Sequence, residues 1–133
     1  MDNGVGVFSF SRQSIEKSIE EYRLQGWKIY YLPKLMVTKD QFFEGIRESL
    51  PLDPPLVTNR SWDALADSLW NGMDGLAEDK ILIIWPDSME MESKEPETFS
   101  IASAILADLT TLFADNEITN DSVKKIMVLR ELS

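Results

Sequence analysis

Apolar positions along this chain switch several times between a period near 2 and a period near 3.6, and each switch marks an element. Residues 5–10 alternate as a short strand does. Across residues 11–25, Ile15, Ile19 and Tyr22 fall on one helical stripe, with Gly26 placed to end the helix. Residues 27–32, WKIYYL, are aromatic and β-branched and predict a strand stopped by Pro33. Thr38 and Gln41 have the spacing of a capping box, opening a helix that turns Phe43, Ile46 and Leu50 inward. Residues 50–58 hold Pro51, Pro54 and Pro55 and predict a loop. Ser61 is suited to cap the next helix, whose Trp62, Leu65, Leu69 and Met73 share one side, and Asn71-Gly72 offers it an end. Residues 81–85 are continuously apolar, as in a strand covered on both faces. The polar, acidic stretch 86–97 reads as a loop. Residues 98–115 predict a helix with Ile101, Ile105, Leu109 and Leu112 on its buried stripe, and 123–129 a closing strand after Asn120-Asp121. Strands separated by helices predict an α/β fold, with a parallel sheet joined by right-handed crossovers. The 133 residues suit a single domain, and no internal repeat interrupts them.

The helix after Ser61 is more unusual on its outer side than on its inner one. Asp63, Asp67 and Trp70 fall within about 60° of arc there, and Asp74 joins them if the helix runs that far. Carboxylates at i and i+4 repel each other and weaken a helix slightly. Asp63 in the first turn has a purely structural use, because it faces the positive end of the helix dipole. Asp67 in mid-helix has none. Trp70 either meets a partner or folds back onto the core. Ten acidic residues between Ser61 and Phe99 are opposed only by Lys80 and Lys94, within a chain of net charge −10. Such a surface keeps a protein soluble. It also disfavours nucleic acid and anionic membranes and steers a basic partner toward this third of the chain.

Composition removes several chemistries. There is no Cys, hence no disulfide, thiolate metal site or cysteine nucleophile, and no His to serve as general base or metal ligand. No apolar run approaches a membrane span, and no basic-then-apolar leader opens the chain, so a cytoplasmic protein without cofactor or metal is expected. An enzyme using Asp63 and Asp67 around a shared ion or as an acid–base pair is the rival reading. The absence of His and of a phosphate-cradling glycine loop argues for a non-enzyme.

From about Trp27 to Ser133 the order of pieces resembles the barstar family of ribonuclease inhibitors. A strand (KIYYLP) leads to a capped helix ending in Leu-Pro (DQFFEGIRESLPL). SWDALADSL follows, then a strand ending in Trp (ILIIW), a long loop, a helix (SIASAILADLTTLF) and a last strand (IMVL). The resemblance implies a small sheet of three core strands flanked by helices, with residues 1–26 as an added strand and helix. It implies that the two-aspartate helix and the loop before it lie across a ribonuclease active site, carboxylates standing where RNA phosphates bind. By position Asp63 and Asp67 match the two helix aspartates, and Asp115 is the nearest match to a further carboxylate before the last strand. Asn59, Ser61, Trp70 and Asp74 complete the expected contact set. The chain departs from the family in four places, one of them a loop before the helix that is about two residues longer. An aromatic pair common in the loop before the helix is replaced by Leu56-Val57-Thr58-Asn59-Arg60. The founding member's Trp between the aspartates is Ala66 here, and Arg60 is a cation where a basic enzyme would approach. The expectation is a monomeric inhibitor or immunity protein forming a 1:1 complex with a basic ribonuclease toxin. The alternative is a barstar-like scaffold for a non-nuclease toxin or regulatory partner.

Overall fold

The computed structural model of the protein describes residues 6–120 and 122–132. Val5 of the first predicted strand and Asp121 of the last predicted turn lie outside them. The order is β1 (Gly6–Phe10), α1 (Arg12–Leu24), β2 (Lys28–Tyr31), α2 (Lys39–Ser49), α3 (Trp62–Asp74), β3 (Lys80–Trp85), α4 (Ser88–Lys94), α5 (Pro96–Phe113) and β4 (Lys125–Glu131). The four strands form one parallel sheet in the order β1-β4-β3-β2. This is the small parallel α/β sheet flanked by helices that the alternation of periods predicts.

Register divides the core in two. Ile81, Ile83 and Trp85 of β3, with Ile126 and Val128 of β4, face the layer built by α2, α3, α4 and α5. Leu82, Ile84, Met127 and Leu129 point the other way, onto Ile15, Ile19 and Tyr22 of α1. Both faces of β3 are therefore covered, which is why its run is apolar without alternation. The first strand and helix are part of this arrangement: β1 pairs along β4 as an edge strand, and α1 covers the second face. Arg12 at the start of α1 bonds Glu131 at 3.1 Å, and that hydrogen bond raises the guanidinium pKa above its ordinary value.

Local signals read from the sequence place the helix ends well. The Thr38 hydroxyl accepts from Gln41 N–H while the Gln41 side chain accepts from Thr38 N–H, closing the capping box. Gly26 takes φ +90° after α1. Its N–H donates to Arg23 C=O, and Trp27 N–H donates to Tyr22 C=O. That bonding is a Schellman ending, and its hydrophobic contact is the Tyr22–Trp27 edge-to-face pair at 5.1 Å.

Three expectations are corrected. The stretch 86–97 is not a loop: it holds α4 and the first turn of α5, with Pro96 in that turn. Asp87 turns the chain at φ 55°, and fully buried Met91 anchors α4. Burial of one such side chain contributes about 1.5–3 kcal/mol, and one apolar anchor in seven residues is too sparse to register as a period. The buried stripe of α5 is Ala102, Leu106, Leu109 and Phe113, rotated from the predicted one, so that Ile101 and Leu112 stay exposed. The helix is apolar on more than one side, and the core takes the stripe that carries Phe113. Asn71-Gly72 does not end α3, which continues to Asp74. Gly72 is there for clearance, because a Cβ on it would lie 2.1 Å from the Pro51 carbonyl oxygen. Tyr31 is the last residue of β2. It is half exposed at the β2 edge, where its hydroxyl accepts from Arg23.

Candidate functional site on the outer face of the third helix

The inner side of α3 is fixed by packing. Leu65, Leu69 and Met73 are buried, and Trp62 lies against Phe42 and Phe43 at 6.0 and 5.1 Å. With the inner side fixed, the outer side has no choice of direction. Asp63, Asp67 and Asp74 are all exposed, and the full length of α3 brings Asp74 onto the arc of the other two. None of the three takes part in an ion pair or side-chain hydrogen bond among the described residues. Three carboxylates on one arc, each without a cation, make a negatively charged stripe fully open to a partner.

The remaining candidates have local work. Ser61 caps α3, its hydroxyl accepting from Ala64 N–H at 3.1 Å. Asn59 is half buried: its Oδ1 accepts from Arg47 at 2.7 Å and its Nδ2 donates to Asp40 at 3.3 Å. Asp115 follows α5, and its Oδ1 accepts from the N–H groups of Glu117 and Ile118 at 2.8 and 3.1 Å, opening the next turn. Trp70 leans back on the molecule and stacks on Phe113 of α5, ring centres 4.0 Å apart and planes 17° apart. Its ring is half buried and still shares the wall of a surface cavity between α3 and α5.

The loop that leads into α3 is held by residues that carry no sequence motif. Arg47 of α2 donates to the carbonyl of Leu56 at 2.9 Å as well as to Asn59. Lys39 donates to the carbonyl of Arg60 at 2.7 Å while its ammonium lies over Phe43 and Trp62. Asp53 N–H donates to Ser68 C=O of α3 at 2.9 Å, across the contact that Gly72 permits. Charged residues on one helix that serve backbone carbonyls of a later loop leave no periodic trace, so only the folded chain displays them. With these ties the Pro-rich segment is a braced approach to the acidic helix.

Among the described residues no group of His, Cys, Asp or Glu could hold a metal ion, and no helix is long and apolar enough to cross a membrane. The arrangement offers a negatively charged face on a helix whose opposite side is packed into the core.

Fold and face together define a small α/β protein that carries an acidic helix on its surface. The family model for Barstar (barnase inhibitor) matches residues 33–123, well over half of the chain, and the protein belongs to that family. No curated protein and no solved structure matches the chain. The family is one of inhibitors that bind ribonucleases, and the match spans α2, the braced loop, α3, β3, α4 and α5.

Proposed function

We propose that this protein is a bacterial, cytoplasmic inhibitor or immunity protein that occupies the active site of a toxic ribonuclease with the outer face of α3. Asp63 and Asp67 stand in for RNA phosphates and pair with the cations the enzyme uses to hold its substrate. Asp74 extends the same charge, and Ser61 and Asn59 fix the approach to it. The protein acts as a monomer in a 1:1 complex, needs no cofactor and catalyses nothing, and residues 1–133 work as one domain. The observation that carries the reading is the pair Asp63 and Asp67, exposed and without a cation partner among the described residues, on the central helix of the family match.

The face is built for electrostatic association. Aligned carboxylates raise the encounter rate with a basic partner, and the gain fades as salt screens them. Replacement of the family's loop aromatics and the presence of Arg60 fit a target different from the founding enzyme. The test is a titration of RNA cleavage by barnase-type nucleases, and by any nuclease from neighbouring genes, at low and high salt. Stoichiometric inhibition of one enzyme that weakens with salt is the expected result. If none is inhibited, the partner is a non-nuclease protein and the ribonuclease assignment fails.

A further inference from the structure

The rotated packing of α5 leaves a surface that the acidic face alone does not account for. Ile101, Ile105, Asp108 and Leu112 recur at helical spacing on the flank of α5 next to its buried stripe, with Ile101, Asp108 and Leu112 exposed and Ile105 half buried. Ile105, Asp108 and Leu112 meet Ala66, Leu69 and Trp70 of α3 around a cavity of about 130 Å³. Its walls are almost wholly apolar, and the one carboxylate in them, Asp108, is exposed and has no ion pair or side-chain hydrogen bond among the described residues. Asp67 follows Ala66 directly on α3. Apolar cavities of this size accept a ring or a chain of several carbons.

We propose that this groove receives the side chain of an arginine from the ribonuclease, deepening the inhibitor reading and resting on it. The aliphatic stem lies against Leu69, Ile105 and Leu112, as long basic side chains do on apolar surface. The guanidinium reaches Asp108 at the rim, with the Trp70 ring beside it as a cation–π partner. Charge selects this occupant: Ala66 of the groove wall lies one helical turn from Asp63 and next to Asp67 on α3, and neither Lys nor Arg is among the lining residues. A purely apolar side chain would leave Asp108 with nothing to pair, and an acidic one would be repelled. The groove thus supplies the aromatic contact that Ala66 no longer provides between the two aspartates.

Two experiments test this on the full chain. In the first, n-butylguanidinium is titrated against the protein and followed by amide and indole N–H resonances, with n-pentanol as the neutral control. Shifts at Ala66, Trp70, Ile105, Asp108 and Leu112, weakened several-fold by Asp108→Asn, are expected. Equal binding of n-butylguanidinium to wild type and Asp108→Asn, or butylguanidinium shifts confined to residues outside the groove, overturns the proposal. In the second, Asp108→Asn and Leu112→Ser are assayed against the nuclease that the wild type inhibits. Each is expected to weaken inhibition about tenfold, the scale of a secondary interface contact. Both positions are exposed, so circular dichroism is expected to be unchanged. Undiminished inhibition by both variants overturns the groove and leaves the inhibitor reading standing. Inhibition of no ribonuclease, with butylguanidinium still seated in the groove, overturns the inhibitor reading and leaves a guanidinium site.

Discussion

α3 and α4 flank the same strand, both are rich in carboxylates, and the fold uses those carboxylates in opposite ways. On α4 and in the turn before it the acids find internal cations. Glu92 pairs with Arg130, Asp87 lies 3.8 Å from Arg12, and Glu90 pairs with Lys94 at 3.2 Å. Arg130 also donates to Ser88 at 2.9 Å and lies over the Phe99 ring, so the short helix is stitched to the end of β4. On α3, Asp63, Asp67 and Asp74 meet no cation among the described residues of their own chain. Acidity in a sequence therefore says little until the counterions are located, and both arginines that serve the α4 segment come from strand ends or helix starts far along the chain. Under the proposed function, the unpaired set is the one that meets the partner.

The comparison can be broken, and the largest effect lies in the core beneath α4. Truncating Met91 to Ala is expected to cost about 2–5 kcal/mol of folding free energy, measured by urea denaturation, because a fully buried side chain is removed from a packed site. A cost below about 0.5 kcal/mol, the range of surface changes, would mean that α4 is held by its charges after all.

On the other helix the effect belongs to binding. Asp67→Ala is expected to weaken the complex with the target nuclease by more than about 2 kcal/mol, because a cation of the partner loses its counter-charge; the scale is that of the family's founding inhibitor–nuclease pair, the standard system for such charge pairs. Folding stability should stay within about 0.5 kcal/mol of wild type. Calorimetry of the complex beside denaturation of the free protein separates the two quantities. A wild-type affinity would remove Asp67 from the interface and end the distinction between the helices.

The smallest effect sharpens the contrast. Glu92→Gln removes an acid whose side chain is half exposed, and its ion pair with Arg130 is worth at most about 1 kcal/mol at such a position. The change should lower stability by that much or less and leave the affinity for the nuclease nearly unchanged, although it alters net charge as much as Asp67→Asn does. A loss of affinity comparable to that of Asp67→Asn would show that binding responds to total charge and not to the α3 stripe.

Strands, most helices and the capping signals were legible along the chain because they rest on local rules. A capping box, a Schellman glycine and a continuous apolar strand each need only neighbours in sequence, and each appears where those neighbours predict it. The outward direction of Asp63 and Asp67 was legible for the same reason, since the apolar spacing of Leu65, Leu69 and Met73 dictates it. What failed to appear in the sequence depended on remote partners. α4 exists because Met91 finds a pocket and Glu92 finds Arg130, and neither is visible in an acidic stretch with one buried apolar side chain.

By itself the sequence determined an α/β chain of parallel strands and an acidic helix whose charges must face outward, because periodicity and turn chemistry are properties of a few adjacent residues. Only the tertiary structure decided which apolar stripe of α5 is buried, that Trp70 stacks on Phe113, and that Gly72 is a point of close approach to Pro51. Those outcomes turn on which of several apolar surfaces pack best against one another, and packing is settled between elements far apart in the chain.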